Sequence, residues 1–311
     1  SVLNGLRRDL VEELDRQRKI GEPAVRSVSI GEVTPNGPAR ALRLSVEVDS
    51  PRDARIALEE GADRVYIHLR PLRGSRPDSD PVLRPEGREV YYIIPRIVRR
   101  PDTEAVMEQI RHVASQADGL CAGTVGGLQM ALDAGGQLAV AGDWSLNVMN
   151  AQTARFLSGL GLSTVCLSPE LTLQEVAGMG GARLEMVVGG NLPLMVTEAC
   201  LARVWLDGGQ GPACTAPCLK EPLFLKDRYD YRFPLRFDGD CLMHVFNSRE
   251  LCLVEDLERI RDGGVSMVRL LARERSGEDI RRMVRVYRGL LDRPDTQQEE
   301  LVRAREELER I

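Results

Sequence analysis

Aromatic side chains are scarce in this sequence, at 4% of 311 residues, although hydrophobic residues as a whole make up 43%. Aliphatic side chains must therefore build most of the core. Lysine is scarcer still, because nearly all of the 42 basic residues are arginine and the lysines are Lys19, Lys220 and Lys226. The net charge of −5 argues against a broad basic surface wrapped on nucleic acid. We therefore expect no DNA partner, although a local arginine patch is compatible with this charge.

The sequence also lacks an apolar run long enough to span a bilayer, and it has no secretory segment near its N-terminus. We therefore expect a cytoplasmic protein with no membrane partner. In that reducing compartment stable disulfides are not expected. No G-x-S-x-G, HExxH, Walker or dinucleotide-binding motif occurs either, so the functions that these motifs carry have no support in the sequence.

Short apolar strands alternate with helices from Leu42 onwards, which is the pattern of βαβ units in a parallel sheet. Ser50 and Pro51 are typical of a helix start, Gly61 stands near the end of the same helix, and Ser276 is a predicted cap. Eight strands with crossover helices favour an α/β fold of the (β/α)8 TIM-like barrel type over an open sheet. The predicted strands cover residues 42–48, 63–69, 89–98, 119–123, 137–148, 163–169, 183–190 and 265–273.

The alternation stops after the seventh strand and resumes shortly before the eighth. We therefore predict a long insertion, residues 191–250, between strands 7 and 8. It would lie on the C-terminal face of the barrel, where such barrels place their active sites. The predicted domains are an N-terminal helix and linker (1–40), the barrel with its insertion (41–292) and a C-terminal surface helix (293–311).

Four of the seven cysteines fall in this insertion, with the spacing C-x13-C-x3-C-x22-C. Glycine and proline in "GPACTAPCLK" favour an irregular backbone that can wrap thiolates around a metal. In a reducing compartment, four such thiols indicate zinc or an iron–sulfur cluster. The other three cysteines stand in more apolar stretches and are predicted to be buried thiols. The four predicted ligands are Cys200, Cys214, Cys218 and Cys241.

His244 follows Cys241 in "CLMH", and this C-x2-H pair can bind one zinc ion through a thiolate and an imidazole. A twofold-related chain could then supply the other two ligands, so a homodimer is expected. The alternative is that His244 only packs or hydrogen-bonds under the insertion. Two metal hypotheses therefore stay open, namely a cluster within one chain and a zinc ion shared between two.

Polar residues also stand near the predicted carboxyl ends of the strands, where they would face the barrel mouth. Arginine there can pair with a carboxylate or phosphate, and a carboxylate can act as a base. No single residue can be assigned as the catalyst from the sequence. The predicted substrate-binding residues are His68, Arg96, Ser145, Asn147 and Arg273. The catalytic candidates are Glu198, Arg96, Glu170 and Arg273.

Several long segments match a known family in that family's order. They are "EEGADRVYIHL", "SLNVMNAQTARFLSGLGLSTVCLSPELTLQEV", "GGNLPLMVTEAC", "FPLRFDGDCLMHVFNSRELCLVEDL" and "RRMVRVYR". On these segments the chain resembles the U-32 peptidase family, the collagenase-like group. The most distinctive part is the run from "MVTEAC" through the next cysteines to "FNS".

The resemblance implies a protease label, but the better understood relatives act in oxygen-independent or prephenate-linked hydroxylation of tRNA, ribosomal RNA or ubiquinone precursors. Those relatives hold a [4Fe–4S] cluster on four cysteines, which correspond by motif to the four predicted ligands named above. Cys252 falls outside that set. Many relatives have a "KIEGR"-like strand where this chain has "VRLLAR". Arg273 matches the arginine, but Leu271 replaces the acid, so a role resting on that carboxylate is not expected here.

The four cysteines and the resemblance together favour a metal- or iron–sulfur-dependent enzyme, and the resemblance implies that its substrate is RNA or a small aromatic compound. One alternative is a peptidase acting on peptides, although no nucleophile–base pair is visible and a metallopeptidase would need an open three-ligand zinc site. The other alternative is a zinc-bridged dimer that serves as a peptide-binding or scaffold module.

Overall fold

The fold is described from a computed structural model of the chain. The residues that it describes are 2–19, 31–69, 82, 85–134, 136, 138–206, 214–238, 241–273, 275–293 and 296–311. The chain divides into two units, Ser1–Glu32 and Val33–Ile311. The first unit contains helix α1 (Val2–Lys19), whose apolar side chains are exposed.

The second unit alternates strands and helices as the sequence predicts. Its strands are β1 (Arg43–Val48), β2 (Arg64–His68), β3 (Glu89–Ile93), β4 (Gly119–Ala122), β5 (Ala139–Gly142), β6 (Leu162–Cys166), β7 (Leu184–Gly190), β8 (Pro193–Thr197), β9 (Leu223–Lys226), β10 (Arg232–Phe237), β11 (Met243–Phe246), β12 (Leu251–Cys252) and β13 (Val265–Leu271). Its α-helices are α2 (Pro51–Glu59), α3 (Thr103–Val113), α4 (Val125–Ala134), α5 (Ala151–Gly159), α6 (Leu173–Ala177), α7 (Leu201–Leu206), α8 (Leu257–Asp262), α9 (Gly277–Leu291) and α10 (Gln298–Leu308). Short 3₁₀ turns cover Arg100–Asp102, Trp144–Leu146, Pro217–Leu219 and Val254–Asp256.

Eight parallel strands form a closed barrel in the order β7-β13-β1-β2-β3-β4-β5-β6, and β6 pairs with β7 to complete the ring. This confirms the (β/α)8 prediction. The predicted helix starts are also confirmed. Ser50 Oγ accepts the backbone N–H of Asp53 at 3.1 Å, and Ser276 Oγ accepts that of Asp279 at 3.2 Å.

The fifth strand is shorter than the sequence predicts, since β5 ends at Gly142 rather than at residue 148. The cause is local, because the Asp143 carboxylate caps a 3₁₀ turn by accepting the backbone N–H of Ser145. Asn147 then ends the turn in the left-handed region, with φ of 53°. After the turn, Val148 pairs in parallel with Leu167, just beyond β6, as an isolated bridge.

Two kinds of interior lie on the two faces of the barrel sheet. Between the strands and the helices, the core is almost wholly apolar and includes Leu44, Val46, Val268 and Leu270. Each such aliphatic side chain stabilises the fold by about 1.5–3 kcal/mol when fully buried. Inside the ring the side chains are largely polar or aromatic, and they include fully buried Arg64, Tyr66, Glu185 and Arg269.

The insertion between β7 and β13 forms an antiparallel sheet in the order β8-β11-β10-β9. One face of this sheet carries a small apolar cluster around Leu235, Met243 and Val245. After this sheet the chain returns through β12, which pairs antiparallel with β7. The insertion thus has a core of its own beside the barrel. Among the described residues, no helix is both long and apolar enough to cross a bilayer.

Candidate active site

A cavity of about 330 Å³ lies at the carboxyl ends of the barrel strands, where the insertion sheet meets the barrel. This volume suits a compact ligand. Most of the polar groups that line it come from strand ends, and the insertion supplies the opposite wall. The polar barrel residues are Glu47, Asp49, His68, Arg96, Asp143 and Arg273. The insertion residues are Pro193, Val196, Phe237, Asp238, Leu242 and His244.

Glu47 and His68 form the central pair of the barrel wall. Glu47 is the next-to-last residue of β1 and His68 is the last residue of the neighbouring strand β2, and His68 Nε2 lies 2.8 Å from Glu47 Oε1. Burial alone would raise the pKa of the Glu47 carboxyl. The hydrogen bond from His68 and the positive charges of His68, Arg269 and Arg273 outweigh burial and lower that pKa to about 2. Glu47 is therefore a carboxylate, and its Oε1 accepts a hydrogen bond from His68 Nε2.

Arg269 stands beneath this pair at the centre of the barrel and is fully buried. Its guanidinium donates to Glu185 Oε2 at 2.8 Å and to Asp143 Oδ1 at 2.6 Å, and its carbon lies 3.9 Å from the centre of the Tyr66 ring. Burial disfavours the Arg269 cation, but the facing Glu185 carboxylate holds its pKa well above the ordinary value. Arg269 thus neutralises the carboxylates that shape the cavity floor.

The hydrogen bonds continue downward from Glu185. Glu185 Oε2 accepts the Tyr66 hydroxyl at 2.9 Å, and Arg64 Nη1 donates to the same hydroxyl at 3.0 Å. Burial would raise the pKa of Glu185, but the charge of Arg269 outweighs burial and lowers it. A Cβ at Gly119 would lie 2.3 Å from the ring of Tyr91, so this glycine makes room for an aromatic side chain inside the ring.

Two arginines flank the Glu47–His68 pair around the rim. Arg273, after β13, donates through Nε to Asp49 Oδ1 at 2.7 Å. Arg96, after β3, lies 3.6 Å from Asp143 Oδ2, and its guanidinium carbon stands 4.0 Å from the centre of the Trp144 ring. Each guanidinium is held by a carboxylate and also lines the cavity. The rim can therefore hold an anionic or polar group of a ligand beside the imidazole.

The structure brings three of the predicted substrate-binding residues to this cavity, namely His68, Arg96 and Arg273. Ser145 lies just below it and donates to Asp143 Oδ2 at 2.7 Å, whereas Asn147 is exposed at the end of the 3₁₀ turn. The catalytic candidates Glu170 and Glu198 are exposed and do not line it. Glu198 instead accepts from Arg99 Nε at 2.7 Å. The roles predicted for these residues stay predictions.

Sequence reasoning missed the deeper polar residues Glu47, Asp143, Glu185 and Arg269. A signal for them was present, since each charged residue interrupts an apolar strand or stands at its end, as in "SVEVD", "RLEMVV" and "MVRLLAR". A buried charge needs a charged partner. Glu47, Glu185 and Arg269, in such positions on three neighbouring strands, would have indicated a charged barrel interior.

The four insertion cysteines lie close enough to interact electrostatically. The pKa of the Cys218 thiol is raised by burial and then by Cys200, Cys214 and Cys241. Two of the sulfurs accept backbone N–H groups: Cys200 Sγ from Arg203 at 3.4 Å, and Cys214 Sγ from Ala216 at 3.3 Å. All seven cysteines are free thiols.

Two residues near these sulfurs have a left-handed backbone, because φ is 51° at Ala216 and 61° at Cys241. Sulfur ligands of this kind suit zinc or iron–sulfur clusters, and N–H···S bonds tune such groups. Among the described residues, however, no three His, Cys, Asp or Glu side chains are already arranged as metal ligands. His244 Nε2 lies 3.2 Å from Asp238 Oδ2, and His244 lines the cavity.

Comparison with known proteins identifies the family. The sequence profile of peptidase family U32 matches residues 49–311, and no curated protein sequence matches the chain. A solved structure of the U32 peptidase Mk0906 is 13% identical, with a TM-score of 0.41, and the match covers 81% of this chain and 98% of that one. A thiamine phosphate pyrophosphorylase from Pyrococcus furiosus is 10% identical, with a TM-score of 0.44 and coverage of 82% and 98%. Because the family profile spans most of the barrel and the whole insertion, the chain belongs to peptidase family U32.

Proposed function

We propose that this chain is an enzyme that uses an iron–sulfur cluster to modify an RNA base or a small aromatic compound by a hydroxylation-type reaction. One observation carries the proposal: a predicted cluster ligand stands in the sequence between two residues that line the cavity. Asp238 and Leu242 line the cavity, and Cys241 stands between them with its backbone N–H donated to the Asp238 carbonyl at 3.0 Å. A group bound at Cys241 would therefore lie beside the cavity wall.

The four cysteines would hold the cluster, and a bound cluster would supply one-electron transfer. Hydroxylation with water as the oxygen source releases two electrons and two protons, so the reaction also requires an external electron acceptor that the chain itself does not supply. The chain's own residues supply proton transfer and positioning. The hydrogen bond between Glu47 Oε1 and His68 Nε2 orients the imidazole at the cavity wall, where it can exchange a proton with a bound substrate. Arg96 and Arg273 orient the polar end of the substrate, and the insertion wall keeps bulk water away.

An RNA substrate is supported by three pairs of arginine and exposed aromatic side chains in the insertion. The distances from guanidinium carbon to ring centre are 4.7 Å for Arg232 and Phe224, 4.7 Å for Arg228 and Tyr229, and 5.6 Å for Arg249 and Tyr231. Single-stranded bases stack on such aromatic and guanidinium planes. The pairs form a local arginine patch on a chain of weakly negative net charge.

Anaerobic purification with iron and sulfide analysis tests the cofactor. We expect a coloured protein that contains iron and sulfide in equal amounts and loses both when Cys214 and Cys218 are replaced by serine. Zinc in place of iron would shift the proposal to the zinc-bridged dimer. Protein prepared anaerobically without iron, sulfide or zinc would overturn the cofactor proposal.

Binding of a fluorescent single-stranded RNA, measured by anisotropy, tests the substrate. Loss of one stacking ring weakens binding by about 5- to 150-fold. We expect such a loss for Phe224→Ala and Tyr229→Ala. Phe156→Ala is the matched control, because Phe156 is 64% exposed on α5 of the barrel rather than in the insertion. Equal losses in all three variants, or none, would remove the support for RNA. No observation favours the peptidase alternative.

A further inference from the structure

Two buried polar atoms of the cavity residues have no hydrogen-bond partner within the described part of the chain. They are Glu47 Oε2, on the barrel wall, and His244 Nδ1, on the insertion wall. Glu47 is 5% exposed, and the His244 side chain is 12% exposed. Buried polar atoms are normally paired, because desolvation of an unpaired one costs about 1–3 kcal/mol. Two such atoms on opposite walls of one cavity indicate a ligand that pairs with both.

Both atoms are hydrogen-bond acceptors. The Glu47 carboxylate already accepts from His68 through Oε1, and Arg269 Nη1 lies 3.5 Å from Oε2 without donating a hydrogen bond to it. A carboxylate oxygen can only accept. On the other wall, His244 Nε2 faces the Asp238 carboxylate and therefore carries the proton of that bond. In the neutral imidazole, His244 Nδ1 is then the lone-pair acceptor.

We infer that the ligand of this cavity carries at least two hydrogen-bond donors, one for Glu47 and one for His244. Ring N–H, exocyclic amino and phenolic hydroxyl groups have this chemistry, whereas a carbonyl or ether oxygen does not. The small cavity and its aliphatic wall residues, such as Ile93 and Val196, restrict the donors to a compact molecule with an apolar body. The inference rests on the proposed function only in taking this cavity as the reaction site.

A ligand series with one ring and a falling number of donors tests the inference on the unaltered protein. Resorcinol has two hydroxyl donors, 3-methoxyphenol has one and 1,3-dimethoxybenzene has none. Binding is followed by the imidazole signals in ¹H–¹³C NMR, since the chain contains three histidines. His244 and His68 line the cavity, and exposed His112 on α3 is the internal reference. We expect affinity to fall about five- to ten-fold with each lost donor.

Glu47→Gln and His244→Phe should each reduce the advantage of resorcinol over 3-methoxyphenol, because each removes one acceptor. Glu299→Gln, on an exposed carboxylate of α10 away from the cavity, is the matched control and should keep the whole affinity order. If a cavity variant does not fold, the affinities of the three ligands for the wild-type chain still test the inference.

Equal affinity across the series, tighter binding of 1,3-dimethoxybenzene, or no shift at His244 with resorcinol would overturn the inference. Failure of the proposed function is a separate result. A chain that shows the donor order but lacks iron and RNA binding would overturn that function and leave this inference standing.

Discussion

At the scale of single residues, the stability of the barrel interior depends on Arg269. This fully buried guanidinium faces Glu185, Asp143 and, at 3.5 Å, Glu47. Removal of one partner from a buried ion network leaves charges without compensation and costs about 3–5 kcal/mol. We therefore expect Arg269→Met to destabilise the fold by about that amount.

Urea unfolding of the two variants at neutral pH measures this effect. Arg285→Met is the matched control, because that side chain is 60% exposed and its ion pair with Glu60 lies on the surface. The control should unfold close to the wild-type midpoint. A similar midpoint for both variants would show that Arg269 does not compensate the buried carboxylates.

Glu47 makes a pH-dependent contribution to stability with a definite sign. Its pKa is about 2 in the folded chain, against an ordinary value of 4.5. Between these values the unfolded chain binds the proton more readily, so the stability that Glu47 contributes is complete above pH 4.5 and is lost as the pH falls toward 2. We expect the stability difference between wild type and Glu47→Gln to shrink over that window.

Unfolding midpoints measured from pH 7 down to pH 3 give this difference curve. Val302→Ala on α10, which removes no ionisable group and is exposed, should run parallel to the wild type over the whole range. A wild-type advantage over Glu47→Gln that stays constant with pH would contradict the assignment of Glu47 as a hydrogen-bonded carboxylate.

The sequence predicted the rim residues His68, Arg96 and Arg273 but not the residues one layer deeper. The reason is that rim residues stand at strand ends, where a change from apolar to polar is visible. Arg269 and Glu185 instead lie within strands that are buried on both faces. Their alternation with apolar neighbours marks an inward-facing position only once the ring is known to be closed.

At the scale of elements, the Asp238 carboxylate orients Leu242 and His244, the residues that follow Cys241. Asp238 Oδ1 accepts the backbone N–H of Leu242 at 2.9 Å, and Oδ2 lies 3.2 Å from His244 Nε2. Groups that orient a metal ligand contribute about 10- to 100-fold to metal affinity. We expect Asp238→Ala to lower cobalt or zinc affinity of the apo chain by at least about ten-fold.

The β9–β10 hairpin supplies the matched control for the Asp238→Ala variant. Asp227 Oδ1 accepts the backbone N–H groups of Tyr229 at 2.8 Å and Tyr231 at 3.0 Å, and no cysteine lies in this hairpin. Asp227→Ala should therefore keep the metal affinity of the wild type in a spectroscopic cobalt titration. Equal metal affinities of the two variants would show that the Asp238 carboxylate has no part in metal binding.

The order of elements was predictable because each helix and strand carries its own signals. The joins of α2, α5 and α8 to the next strand each contain a glycine with positive φ, at Gly61, Gly161 and Gly264. The fifth strand was predicted too long because "DWSLNV" continues the apolar pattern. Only the hydrogen bond from Ser145 to the Asp143 carboxylate shows that the chain turns there.

At the scale of the whole molecule, the barrel and the insertion have separate apolar clusters. The main core lies between the barrel strands and helices, whereas the insertion packs around Leu235, Met243 and Val245. The sequence predicted that the insertion would lie at the mouth. It could not show that β8 and β11 supply a wall of the cavity, because the cavity brings together residues far apart in the sequence, such as Glu47 and His244.

Because the two clusters are separate, we expect the barrel cysteines to affect stability and the insertion cysteines to affect iron content. Cys121 and Cys166 are buried inside the barrel, where burial raises the pKa of each thiol well above its ordinary value. Cys121→Ser and Cys166→Ser place a hydroxyl in these positions, which costs about 1–3 kcal/mol unless it finds a partner. We expect both variants to unfold at lower urea concentration and to keep the wild-type iron content.

Cys214→Ser and Cys218→Ser should give the opposite result, because these side chains lie in the insertion and outside the barrel core. We expect these variants to lose iron. Their barrel should unfold at a midpoint close to that of the wild type, as measured by far-ultraviolet circular dichroism. If the insertion variants lost barrel stability as well, the insertion and the barrel would fold as one cooperative unit. Iron loss from the barrel variants would instead place a cluster ligand inside the ring.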